Sequence, residues 1–318
     1  MIEAKDEALH PLGAGAHWQE SFYFNWADPA RRAFGLTRIG YRFTDNQIDG
    51  LVLTIRDGRP EFVYPAVNLK GGGPWSDHTP KSGLRARGLV YRMEEPLGRW
   101  RIELRGKDTI DLTWTAFTPA FDYHGTGENL VPNLAARHFE QTGRVRGTVR
   151  LRGRETPIDG TGQRDKSWGP RDWARIEGWN WISAQFGEDL SFNAWEGWFE
   201  GRRYLNGYLH RGGENHALRR VDLTYRWTRA RHLPASARLV LTDDEGVTLE
   251  VEARPLGNCP LVKRGLWIEE IFASFTARVG GEAREGIGVV EHAWHAGTLG
   301  TLREARRVAA AAWDLRPR

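Results

Sequence analysis

Residues 160–173 read Gly-Thr-Gly-Gln-Arg-Asp-Lys-Ser-Trp-Gly-Pro-Arg-Asp-Trp. This segment sets Arg164, Asp165, Lys166, Arg171 and Asp172 among Trp168 and Trp173. A solvated loop rarely spends tryptophan, and an apolar core strand rarely carries alternating charge. The mixture suits a polar site in an apolar cavity, where buried charge must be paired. A carboxylic acid held there keeps its proton near neutral pH, because lost hydration penalises the anion. Asp165 is the candidate proton donor. Arg164 is placed to position it, Trp168 and Trp181 to line the pocket, and Gln163, Arg171 and Trp179 to contact the ligand.

A second segment, His138-Phe139-Glu140-Gln141-Thr142-Gly143, precedes it. His138 and Glu140 are two apart, so on a strand they share a face. An imidazole beside a carboxylate handles protons. Antiparallel pairing of this strand with the one carrying Asp165 would bring His138, Glu140 and Asp165 together. The competing reading is a structural ion pair between Glu140 and Arg164, with His138 bonded in the core.

Other constellations carry less. His292 and His295 are three apart in a strand-rich region without an acidic third ligand, so no metal site is expected. Glu269 and Glu270 point to opposite faces of a strand. Glu196 and Glu200 read as solvated acids at a hairpin corner. Asp172 reads as a structural partner of Arg171 or Arg175. No phosphate-binding loop is present, and Gly71-Gly72-Gly73 reads as a loop that could act as a lid.

The elements that must position these groups are strands. Period-two alternation dominates, as in Gln19–Trp26, Gly35–Phe43 and Arg144–Arg154. Hairpins are predicted across Asp57-Gly58, across Gly106-Lys107-Asp108 and across Asp243-Asp244-Glu245-Gly246. Helical pattern is scarce, with the best candidate at Thr301–Trp313 and a short turn at Asp28–Phe34. The spacing predicts an all-β chain of two antiparallel barrel-like lobes with a short C-terminal helix, divided into residues 1–172 and 173–318.

At 318 residues with 40% hydrophobic and 27% charged content, the chain reads as an ordinary globular protein. Its net charge of +4 is spread without a basic stripe, which argues against a nucleic-acid partner. No apolar run is long enough to span a membrane. The N-terminus carries no leader pattern, and a single Cys259 permits no intrachain disulfide. A cytoplasmic location is therefore expected. Of the 15 tryptophans, six fall between Trp168 and Trp198, where a core and an aromatic pocket are equally good accounts.

The Gly-x-Gly-x-Arg-Asp-x-Ser-Trp-Gly run and the preceding His-x-Glu-Gln-x-Gly-x-Val-x-Gly segment resemble the AttH-like and carotenoid-hydratase group of double calycin proteins. The likeness is firm over residues 135–200. It implies two lipocalin-like barrels in tandem and a hydrophobic ligand; the acid–base chemistry expected of the site needs no redox cofactor. The likeness also implies that Asp165 protonates an isoprenoid double bond. Gln163 stands where those hydratases have Tyr, and Glu140 where they have Trp, which points to a different proton balance and a more polar substrate.

The expected function is acid–base chemistry on an isoprenoid, terpenoid or other lipid-like small molecule. Asp165 would be the acid, and His138 and Glu140 the base or orienting groups. The outcome would be hydration, dehydration, isomerisation or cyclisation. A non-catalytic carrier of an apolar ligand and a glycan-binding β protein are the competing classes, since the fold does not dictate activity.

Overall fold

The computed structural model describes the chain apart from residues 14–16, 72–77, 126–134, 230–232, 264, 280, 296–304, 308 and 310–318. Eleven strands come first: β1 (Trp18–Asp28), β2 (Ala33–Arg42), β3 (Gln47–Arg56), β4 (Arg59–Lys70), β5 (Leu84–Ala86), β6 (Leu89–Glu95), β7 (Arg99–Leu104), β8 (Thr109–Ala116), β9 (Phe121–Asp122), β10 (Arg137–Leu151) and β11 (Arg154–Pro170). They form one antiparallel sheet in the order β4-β3-β2-β1-β11-β10-β8-β7-β6-β5, with β9 paired to β10. Eight more follow: β12 (Ile176–Gln185), β13 (Leu190–Phe199), β14 (Arg202–Arg211), β15 (Glu214–Trp227), β16 (Pro234–Asp243), β17 (Thr248–Lys263), β18 (Leu266–Val279) and β19 (Glu282–His295). These close into a barrel in which β19 returns to β12.

The predicted hairpins form where turn chemistry requires them. Asp57 and Gly58 join β3 to β4 with φ of 50° and 81°. That pair of positive angles matches the right-handed twist of the flanking strands. The first sheet rolls up without a ladder between its edges β4 and β5. Instead β5 lies against β3, where a Cβ on Gly50 would come within 2.5 Å of Ala86 Cβ. Only a glycine admits that approach.

Alternation sorts most of the buried side chains into three large cores, with two smaller clusters around Trp173 and Trp168. Phe22, Phe24, Trp26, Ile39, Trp100 and Trp114 fill the first roll. Ile182, Phe192, Leu239, Ile271 and Val290 fill the closed barrel. The opposite faces pack on each other, with Tyr23, Leu36, Leu53 and Tyr123 meeting Trp181, Trp195, Tyr208 and Phe272. The junction is therefore a buried aromatic layer in its own right.

Helix is scarce, as the sequence predicts. The segment Pro29–Arg31 is a single 3-10 turn, capped by Asp28 Oδ1 accepting from Arg31 N–H at 3.1 Å. Of the predicted Thr301–Trp313 helix, residues 305–307 and 309 are helical and the remainder lies outside the described residues. The proposed lid at Gly71–Gly73 lies largely outside them too. No helix among the described residues is long and apolar enough to cross a membrane.

Candidate active site

Cross-strand partners in an antiparallel sheet share a face, and successive residues alternate. One row across the first sheet therefore presents Glu140, Asp165, Tyr23, Arg38 and Leu51 toward the second barrel. The row beside it holds His138, Ser167, Ser21, Gly40 and Asp49. Gly40 leaves room for its neighbour, since a Cβ there would sit 2.6 Å from Arg38 Nη1. The facing wall is built the same way. One row of the second barrel carries Trp195, Trp181, Glu291, Glu270 and Cys259.

Between these walls lies a cavity of about 570 Å³. Asp165, His138, Tyr23, Arg38 and Arg171 line one side, and Trp173, Trp179, Trp181 and Trp195 line much of the other. That volume suits a small organic molecule. The pocket sits at the junction of the lobes, not inside either barrel.

Proton-handling groups cluster on the first wall. The His138 ring shares a hydrogen bond with Glu140 Oε1 through Nε2 at 2.8 Å. Glu140 is fully buried behind His138 and accepts two more bonds. Trp181 Nε1 donates to its Oε1 at 2.8 Å, and Gln163 Nε2 donates to its Oε2 at 2.9 Å. Arg171 donates to Ser167 Oγ at 2.7 Å, and that hydroxyl meets Ser21 Oγ at 2.9 Å.

Burial sets the protonation states. It pushes Asp165 up to about 7, helped by Glu140 and opposed by His138, Arg171 and Arg38. Burial likewise pushes Glu140 up to about 8, against the bonds from Gln163 and Trp181. The same loss of hydration drives His138 down to about 4, although Asp165 favours its charged form. Arg171 falls to about 10 from burial and the nearby Arg38. At neutral pH the imidazole is neutral, Glu140 keeps its proton, and Asp165 is divided between acid and carboxylate. With the neutral imidazole's proton on Nε2, donated to Glu140 Oε1, Nδ1 is the nitrogen able to accept a proton.

The structure brings Asp165, His138, Arg171, Trp179 and Trp181 to one cavity. Gln163 lies one layer deeper, holding Glu140 and contacting Tyr208 Oη at 3.2 Å. Arg164 does not position the acid. Adjacent strand residues face opposite ways, so Arg164 points into the first roll while Asp165 points out of it. There it is 1% exposed and forks onto Glu7 at 2.8 and 3.0 Å. The ion pair weighed for Glu140 is thus made by Glu7. Trp168 also faces the roll, stacked on His10 at 4.1 Å and under the Lys166 ammonium at 4.5 Å.

Smaller readings are corrected as well. Asp172 caps the 3-10 turn Trp173–Arg175 by accepting from Ala174 N–H at 3.0 Å, and among the described residues it makes no ion pair with an arginine. Glu196 is buried, bonded to Asn180 at 2.7 Å and to Arg203 at 2.5 Å, whereas Glu200 sits at an exposed corner. His292 and His295 contact Asn180 Oδ1 and the Ile176 carbonyl separately. Among the described residues no three His, Cys, Asp or Glu side chains converge as a metal cluster.

Sequence reasoning missed Tyr23, Arg38, Trp173, Glu270 and Glu291, all of which line the cavity. A signal existed for several of them. Tyr23 occupies the opposite phase from Phe22, Phe24 and Trp26. Glu270 is followed by the apolar run Ile271-Phe272-Ala273, and Glu291 follows Val289-Val290. An acid in such a place is either paired or functional.

With this geometry in hand, the chain can be set beside other proteins. A family model described as a domain of unknown function, DUF7064, matches residues 3–296. An AttH-like protein, NE1406, from Nitrosomonas europaea is similar in structure at 18% identity, with a TM-score of 0.67. The similarity covers 87% of this chain and 92% of that one. Kievitone hydratase from Nectria haematococca is similar at 14% identity and a TM-score of 0.64, over 92% of this chain and 93% of its own. CghA, described with Sch210972, is similar at 14% identity and a TM-score of 0.64, over 88% and 89% of the two chains. At these identities the likeness is one of fold, the double-barrel AttH architecture. No curated protein matches the sequence.

Proposed function

Because the chain belongs to DUF7064, a family whose function its description leaves unstated, we propose an activity from the cavity itself. The protein is an acid–base enzyme that converts an apolar, isoprenoid-like or other lipid-like small molecule. One observation carries this reading. A carboxyl group raised to about 7 faces an aromatic-walled cavity, with a neutral imidazole on the same wall.

Asp165 gives its proton to an alkene carbon or a carbonyl oxygen of the guest. The positive charge that develops is stabilised by indole faces, worth up to ~2 kcal/mol when desolvated. His138, neutral and backed by Glu140, accepts a proton from an attacking water or from the substrate. Arg38 and Arg171 give the same wall a cationic patch, which suits a phenol, carbonyl or carboxylate on the guest. Hydration, dehydration, isomerisation and cyclisation all use this step. The name of kievitone hydratase, among the similar structures, supports the same direction. A reducing cytoplasm suits the buried free thiol of Cys259.

The test is incubation with a panel of terpenoids and prenylated phenols in heavy water, followed by chromatography and mass spectrometry. A proton drawn from Asp165 exchanges with solvent, so the account expects a new product that carries deuterium. Recovery of every bound compound unchanged and without label would leave a carrier. The acid form of Asp165 is required, so kcat is expected to hold below about pH 6 and fall as pH rises through about 7. A rate that rises through that window would contradict the assignment.

A further inference from the structure

Across the cavity from Asp165 lies a second pair of carboxyl groups that the reaction above does not use. Glu270 and Glu291 are direct partners on β18 and β19 and share a hydrogen bond. Both line the cavity. Glu270 is only 3% exposed, and apart from the proton shared with Glu291 its Oε2 finds no donor among the described residues. Trp179 Nε1 donates to Glu291 Oε1. Tyr23, the cross-strand partner of Asp165, reaches the Trp181 ring at 5.6 Å, and its phenol is held protonated by burial first, then by Glu270 and Glu291. Glu269 turns to the other face, where Arg307 at 2.5 Å and Asn258 at 2.5 Å hold it. Two adjoining carboxyl groups in a dry wall cannot both ionise, so they keep one proton between them. Burial and the partner carboxyl raise Glu270, and burial raises Glu291 against the hydrogen bonds with Glu270 and Trp179 and a smaller pull from Lys263.

A purely structural pair would be expected to find a buried cation, as Glu7 does in Arg164 and Glu20 in Lys166. Among the described residues neither acid of this pair forms an ion pair, and Lys263, which lines the same cavity, lies over the Trp173 ring at 4.4 Å. We propose that Glu270 and Glu291 share one proton and one negative charge on the second-barrel wall, and that this anion, flanked by Trp179, Trp181 and Trp195, receives the positive charge and then a proton of the guest. The proposal rests on the cavity being the reaction chamber.

The step balances. Asp165 transfers a proton to the guest and becomes a carboxylate. Either a C–H proton of the resulting cation passes to the pair and the C–H electrons form a C=C bond, or a hydroxyl of the guest closes on the cation with an oxygen lone pair and then gives its proton to the pair, the O–H electrons staying on oxygen. The pair goes from one proton to two, and the guest leaves as an isomer. Exchange with water restores both carboxyl sites. The substrate class is therefore a skeleton that isomerises or cyclises through a cation, protonated at one wall and deprotonated at the other.

Benzyltrimethylammonium and its neutral isostere neopentylbenzene test the claim without knowledge of the substrate. Binding is read by tryptophan fluorescence and titration calorimetry on the full chain. The wild type is expected to prefer the ammonium by about tenfold or more, as a desolvated cation between an anion and indoles requires. Glu270→Gln and Glu291→Gln should each remove that preference, and the double variant should lose no more than either single one. In each single variant the remaining carboxyl simply keeps its proton, so one shared charge is lost once. Equal affinity for the two probes, retention of preference in either variant, or losses that add in the double variant would each overturn the proposal. Circular dichroism confirms that these near-isosteric variants fold. Turnover by Asp165→Asn is measured separately and reports on the acid, not on this pair.

Discussion

Asp165→Asn is expected to lower turnover by ~10²–10⁴-fold while leaving the fold intact. The amide matches the neutral acid in shape and hydrogen-bonding capacity but cannot release a proton to carbon. Its effect on stability has an equally definite sign. Burial raises the Asp165 carboxyl to about 7 from the ordinary value of 3.8. Such a group contributes stability that is complete at acidic pH and is lost as pH rises through the folded value. The asparagine variant has no such loss. Relative to the wild type it should therefore gain stability between pH 4 and pH 8. The gain reaches up to ~4 kcal/mol, at about 1.4 kcal/mol for each tenfold change in proton affinity on folding. Urea unfolding at the two pH values reads the difference. A variant that loses stability relative to the wild type as pH rises would mean that Asp165 is held as an ionised partner.

Arg164→Met should be the most damaging single change to the fold, at ~3–5 kcal/mol, because it leaves a buried acid without its counter-charge. The guanidinium meets both oxygens of Glu7 and donates to Gln141 Oε1 at 2.6 and 2.9 Å. It also lies 5.2 Å from the Trp114 ring centre and 5.1 Å from that of Phe139. Burial pushes Glu7 up, yet Arg164 outweighs it and holds the carboxyl below its usual range. Glu7 belongs to the 3-10 turn Ala4–Glu7, so this pair also anchors the N-terminal segment inside the first roll. Adding Glu7→Leu should recover part of the loss, since replacing both charges by apolar groups removes the desolvation cost as well as the attraction. Thermal melts of the single and double variants check this. A double variant less stable than Arg164→Met alone would contradict it.

Much of the architecture is legible in the chain. Alternation in Gln19–Trp26 and the turn at Asp57-Gly58 identify strands and hairpins, because period two and positive φ are local properties. The pairing of His138–Glu140 with Asp165 is legible for the same reason, since only a short hairpin separates β10 from β11. The same alternation, applied strictly, separates Arg164 from Asp165 and sends Trp168 into the roll. Proximity along the chain is a poorer guide there than the phase of the strand. Arg38 and Glu291 are out of reach for another reason. Arg38 reaches the row of Asp165 through the strand order β2-β1-β11, and Glu291 shares the cavity with it through the docking of the second barrel on the first sheet. Nothing within a few residues of either position encodes that docking.

The central claim is that Asp165 in the cavity of the free protein keeps its proton up to the edge of neutral pH, where an ordinary aspartate is fully ionised. Carboxyl carbon NMR of protein labelled at aspartate, with Asp165→Asn to assign the signal, measures it directly. The account predicts a midpoint near 7 for Asp165, and a midpoint near the ordinary 3.8 would contradict it.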